Sequence, residues 1–227
     1  MSSNYELRTK AEMGDPDSQF DLGQAYLYGK DGYEKDVKKA IRWLKKAGVT
    51  HPAAYYVMIG IGLGAIDKGN KDANLVIECF RNLVGIHKST TAMVLLGATL
   101  CGDPQNRHIR DILPELANPP YYNPKEGFQL IEEGIRLAES AAENPLGFKH
   151  YDDAFKAYHF QTCKVHNKQK RGEPYLPEGG IDNALAKEFE CAKKALAALK
   201  AGKGADNVRE KDVGQLIALY EDMVRKM

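Results

Sequence analysis

The chain has 227 residues, 43% of them hydrophobic and 28% charged, a balance that suits a soluble globular protein with one or two cores rather than a disordered or fibrous polymer. Its 32 Lys and Arg oppose 31 Asp and Glu for a formal charge of +1, which sets aside nucleic acid and an anionic membrane surface as partners. No window reaches the roughly 18 to 20 apolar residues of a spanning helix, and the polar start MSSNYELRTKAEMG leads us to expect a cytoplasmic protein.

In chain order, Asp15 and Pro16 open a helical segment holding Phe20, Leu22, Gly23, Tyr26 and Leu27, closed by Gly29 and Gly32. Asp36 then stands as an N-cap, because its carboxylate can accept from orphan amides. Val37, Ala40, Ile41, Trp43, Leu44 and Ala47 follow as an apolar stripe that ends at Gly48. Two such stretches with a short loop predict an antiparallel helix pair. The pattern repeats: Gly23, Gly60 and Gly97 recur at 37-residue intervals, each after an aliphatic residue. The same shift carries Tyr26 onto Leu63 and Leu100, Trp43 onto Phe80 and Ala47 onto Val84. A helical glycine costs about 1 kcal/mol against alanine, so its recurrence suggests a close approach between helices.

Residues 11–48 resemble a Sel-one-like repeat, a relative of the tetratricopeptide solenoids. The resemblance rests on Gly14, Ser18-Gln19, Leu22-Gly23, Tyr26, Gly29, Asp36, Lys39-Ala40, Trp43 and Lys46-Ala47. A second unit, residues 49–86, is degenerate: it keeps Gly60, Phe80 and Asn82 and replaces the loop aspartate region with KGNKDAN. The third, residues 87–143, carries a 13-residue insertion before its second helix, where Gly127 and Gly134 stand seven apart as Ala40 and Ala47 do. YDDAFKAYHFQTCKV and IDNALAKEFECAKKALAAL read as a fourth, degenerate pair within 150–200. In the last segment, 206–227, Val213, Leu216, Ile217, Tyr220 and Met223 share one face of a capping helix. The expected fold is all-α: a single domain, 1–227, forming a right-handed α-α superhelix (solenoid) of about four helix pairs plus that cap.

Candidates for chemistry are sparse. Cys79, Cys101, Cys163 and Cys191 are too far apart for a zinc ribbon or redox motif and read as reduced thiols. The regularly paired cysteines of the lactam-binding relatives are missing. His159, Cys163 and His166 fall at i, i+4 and i+7, so two of them could share a metal ion, although a satisfied or solvated helix face accounts for them better. His51, His87, His108 and His150 sit at helix junctions. The glycines of Gly60-Ile61-Gly62-Leu63-Gly64 superficially suggest a phosphate loop, but no strand precedes them and helix packing explains them better. Pro119-Pro120-Tyr121-Tyr122 fits a rigid turn better than a polyproline ligand, and Lys164, Lys168, Lys170 and Arg171 fit a solvated loop. No catalytic signature is present, and no cofactor or metal is expected.

What the resemblance implies is an interaction role, with inner helices lining a concave surface for a partner protein or peptide. The positions between packing residues are Asp21, Gln24 and Tyr28; the 37-residue shift gives Met58, Ile61 and Ala65, then Leu95, Ala98 and Gly102. This strip runs from polar to apolar, as suits a partner anchored by a buried group. Met58, Ile61 and Leu95 have a competing assignment, as plain core. The expected function is a noncatalytic adaptor or scaffold, within which a regulator or an immunity or antitoxin-like protein is one form. An enzyme or metal-binding protein using the His159, Cys163 and His166 face is the alternative.

Overall fold

The computed structural model describes residues 3–101, 113–167, 176–177, 179–204 and 210–227. Lys168, Lys170, Arg171 and His108 therefore lie outside the described residues, as do the side chains of Lys164 and His166. The described residues form ten α-helices and a short 3-10 turn, with no β-strand beyond a single bridge between Leu63 and Lys71. The chain divides into two compact units, residues 1–88 and 89–227.

The first unit holds α1 (Ser3–Glu12), α2 (Pro16–Tyr28), α3 (Val37–Ala47), α4 (Ala53–Gly62) and α5 (Ala73–Gly85). Helix α1 lies ahead of the first expected pair, and buried Gln19 of α2 donates to its Ala11 carbonyl at 3.1 Å. Asp15 caps α2 by accepting from the Ser18 amide at 2.8 Å, with Pro16 in the first turn, where its missing N–H costs nothing. Gly29 ends the helix at φ +64°, a left-handed turn that a side chain would strain. Asp36 caps α3 as expected, accepting from the Lys39 amide at 2.9 Å.

Each of the first two hairpins is closed in the same way. The Asp36 amide donates to the Tyr26 carbonyl at 2.8 Å, and the Asp72 amide donates to the Gly62 carbonyl at 2.9 Å. Asp72 in turn caps α5 through the Leu75 amide at 3.1 Å, so the loop aspartate survives within KGNKDAN. The first two units are thus offset by 36 residues, not 37. In the true register Leu22 matches Met58, Ala40 matches Val76, Leu44 matches Phe80 and Ala47 matches Leu83, and all eight are buried. Phe80 is the counterpart of Leu44. Trp43 is half-buried, with the Lys46 ammonium 4.2 Å from its ring centroid. Two links tie the pairs together: Lys45 meets Glu78 at 2.7 Å, and a His87 ring nitrogen donates to the Gly48 carbonyl at 2.7 Å.

The second unit contains α6 (Thr90–Leu100), the turn Pro114–Ala117, α7 (Pro124–Ser140), α8 (Phe148–Asn167), α9 (Gly180–Lys200) and α10 (Glu210–Lys226). Its first hairpin repeats the closure across the insertion: the Asn123 amide donates to the Leu100 carbonyl at 2.9 Å and Asn123 caps α7. Asn123 thus follows Leu100 by 23 positions where the earlier bonded pairs are ten apart, an interval 13 residues longer. Helices α6 and α7 meet through glycine. A Cβ on Gly97 would lie 2.5 Å from the Gly127 carbonyl oxygen, and one on Gly134 would lie 2.9 Å from Met93 Cβ.

Helices α8 and α9 form the fourth pair. Their core includes Phe128, Ile131, Tyr158, Cys191, Ala195 and Leu199, with Tyr158 stacked on Phe128 at 4.5 Å. Fully burying such a side chain contributes roughly 1.5–3 kcal/mol. The Glu78 link of the first unit has its analogue here, as Lys187 bridges to Glu132 and Lys194 to Glu139 at 2.8 Å. The cap, α10, packs Val213, Leu216, Ile217 and Met223 against this core and buries Tyr220 between Phe148 and Phe155. No helix among the described residues is long and apolar enough to cross a membrane.

Candidate functional site

The outward stripe of α2 follows from its packing. Leu22, Ala25 and Leu27 point inward, so residues three and four apart on the opposite side remain in solvent. Asp21 and Tyr28 are exposed and Gln24 is half-buried, and the three align at i, i+3 and i+7. Tyr28 is 48% exposed, with the Lys30 ammonium 5.1 Å from its ring centroid. An acid, an amide and an aromatic ring therefore lie along about two turns of one helix.

The counterparts on α4 differ from those read by the 37-residue shift. Met58 and Ile61 are fully buried and belong to the core of the first unit. One residue of slip turns a helical side chain by about 100°, enough to carry the assignment from the surface stripe into the core. The true counterparts of Asp21 and Gln24 are Val57 and Gly60, both half-buried. Gly60 is covered by Ile66, whose Cδ1 would be 2.8 Å from an added Cβ. The helix-to-helix notch expected at Gly60 belongs instead to Gly62, where an added Cβ would meet Val76 at 2.8 Å and the Asp72 carbonyl at 3.0 Å. Two glycines of Gly60-Ile61-Gly62-Leu63-Gly64 thus serve packing. Ala65 is exposed, in the loop after α4. In the second unit Leu95 is half-buried and Ala98 is buried.

A second constellation joins α8 and α9. His159 Nδ1 lies 2.7 Å from Glu188 Oε1, the Thr162 hydroxyl donates to Glu188 Oε2 at 2.7 Å, and Cys163 Sγ lies 3.4 Å from His159 Nε2. Helical spacing brings out His159 and Cys163, but Glu188 comes from another helix. The available signal was its place on the buried stripe of α9 with Ala184, Cys191, Ala192 and Ala195, where an unpaired carboxylate would be costly. Among the described residues no three His, Cys, Asp or Glu side chains are arranged to hold a metal ion. All four cysteines are free thiols. Cys79, Cys101 and Cys191 are buried, and burial pushes the Cys79 and Cys191 thiols up to about 12.

A third feature is a cleft of about 260 Å³ between α7 and α9, floored by Tyr158, Ile135 and Cys191 and rimmed by the Glu132 and Glu139 ion pairs. Arg136 and Glu190 of its lining pair within their own helices, with Glu133 and Lys193, so its charges are matched and it serves as a packing seam.

Residues 16–48 match the family model described as Sel1 repeat. No curated protein and no solved structure matches the chain.

Proposed function

We propose that this chain, whose residues 16–48 match the Sel1 repeat model, acts as a noncatalytic adaptor that holds a partner protein or peptide through the outward face of α2. Repeats of this class commonly mediate protein binding. The observation that carries the reading is the stripe of Asp21, Gln24 and Tyr28, which stays exposed or half-buried while Ser18, Gln19, Leu22, Ala25 and Leu27 of α2 are buried. Tyrosine offers a large, rigid contact at low entropic cost, and Asp21 one turn and more away supplies a charge to set orientation. A cytoplasmic regulator that occupies one specific partner fits the same surface.

The test is a photo-crosslinking residue placed at Tyr28, with one at Met13, which is 82% exposed off the stripe, as control. A discrete adduct from the Tyr28 position, lost in an Asp21→Lys, Gln24→Ala background that melts like wild type, supports the reading. Equal adducts from both positions, or no loss in that background, would sink it.

A further inference from the structure

We propose that Cys163 is a nucleophilic thiol, a site of covalent modification by small uncharged electrophiles such as hydrogen peroxide, with His159 as its base and Glu188 as the residue that positions that base. Cys163 alone of the four cysteines is not buried. One turn before it on α8, His159 presents a ring whose side chain is 37% exposed, so solvent and small solutes reach both groups.

The tautomer of His159 follows from its partner. Glu188 is 6% exposed, and its carboxylate accepts from the Thr162 hydroxyl on one oxygen and faces His159 Nδ1 on the other. A carboxylate has no proton to give, so Nδ1 carries one, and whenever the ring is neutral its lone pair is on Nε2. Nε2 is the nitrogen nearer the sulfur, at 3.4 Å against 3.9 Å for Nδ1. Because the sulfur is nearly as close to Nδ1 as to Nε2, it sits over the ring, out of line with the in-plane Nε2 lone pair, and proton transfer requires the Cys163 side chain to swing into line as the electrophile arrives. Acid, imidazole and thiol thus stand in the order in which a base is oriented and a nucleophile activated.

Burial and the Glu188 charge both push the Cys163 thiol up, so it is stored protonated and needs a base at the moment of reaction. In the reaction with peroxide the sulfur attacks one oxygen. An S–O bond forms, the O–O bond breaks and the thiol proton passes to Nε2. Nε2 then returns a proton to the leaving hydroxide, giving a sulfenic acid and water, with sulfur oxidised by two electrons and peroxide reduced. The negative charge of Glu188 favours neutral electrophiles over anionic ones.

The full-length protein is treated with hydrogen peroxide and dimedone, and the adducts are mapped by peptide mass spectrometry. Cys163 is expected to label first, Cys163→Ser to lose that label, and His159→Gln and Glu188→Gln to slow it on the order of ten-fold or more. Added imidazole should restore the rate in His159→Gly, a rescue that a purely structural histidine would not show. Iodoacetamide should outpace iodoacetate at Cys163 by more than it does at a free small thiol. A rate unchanged in His159→Gln, or a loss in His159→Gly that imidazole leaves in place, overturns the proposal. So does labelling of Cys79, Cys101 or Cys191 ahead of Cys163.

Discussion

Gly97 and Gly127 face each other so closely that a Cβ on either would lie 2.5–2.6 Å from the carbonyl oxygen of the other. Backbone cannot rotate out of the way as a side-chain tip can. Gly97→Ala should therefore cost at least about 2–3 kcal/mol despite the helix-propensity gain. Gly60→Ala meets only the end of the Ile66 side chain and should stay within about 1 kcal/mol of wild type. Denaturant unfolding of the two variants checks this: equal losses would mean that Gly60 and Gly97 share a packing role after all.

That contrast shows how far the sequence could be read. The helix hairpins, the caps at Asp15 and Asp36, the 13-residue insertion and the equivalence of Gly127 and Gly134 with Ala40 and Ala47 were all legible, because capping chemistry and apolar period are local. The middle register was not. In the 36-residue register Gly23 is matched by Ile59, one residue before Gly60, so counting glycine to glycine shifted the middle unit by one. Counting from cap to cap, Asp36 to Asp72, would have given the right interval and placed Met58 and Ile61 in the core. For the site, Asp21, Gln24 and Tyr28 were readable from one helix. Glu188 was not: the two helices read as a pair, but the rotation that sets Glu188 opposite His159 is a tertiary fact. Helix α1 was missed because its sequence is polar throughout and it buries little beyond Ala11.

The shared closure predicts shared energetics. Asp72→Ala and Asn123→Ala each remove a side-chain acceptor from the first turn of a helix, α5 or α7, and should each cost about 1 kcal/mol. Asp72→Asn, which keeps the acceptor, should recover most of the loss. Chemical denaturation distinguishes this from a charge effect, for which Asn would be no better than Ala.

Buried Asp153 and half-buried His150 on α8 give opposite pH dependences. Burial raises the Asp153 carboxyl above its ordinary 3.8, against the opposing pull of Lys149. Its contribution to stability is complete below 3.8 and is lost as pH rises through the folded value. Burial, then the Lys149 charge, lowers His150 below its ordinary 6.5, and the Gly147 amide donates to Nδ1 at 3.2 Å, which requires the neutral ring. Its contribution is complete above 6.5 and is lost as pH falls through the folded value. Asp153→Asn should gain on wild type as pH rises from about 4, and His150→Asn should gain as pH falls below about 6.5. Unfolding midpoints at pH 4 to 8 measure both; a constant offset across that range would remove the assignment for that residue.

Tyr220 decides whether α10 stays docked. It is the one residue of that helix that is buried among those described, its ring lies edge-on to Phe148 at 5.6 Å, and its hydroxyl donates to Asp152. Asp152 also holds Lys156 at 2.7 Å, so Tyr220→Phe leaves the acid one partner and should cost about 1.5–3 kcal/mol. Tyr220→Ala adds a cavity between two phenylalanines and should cost about 3–5 kcal/mol. The loss is expected to be local. Gly214 in α10 has nothing within 4 Å of an added Cβ, so the helix carries the entropic cost of that glycine with no packing in return. Hydrogen exchange on Tyr220→Ala should show amides of α10 exchanging faster while those of α6 and α7 keep their protection. Uniform acceleration through α6, α7 and α10 would mean that the cap unfolds only with the core beneath it.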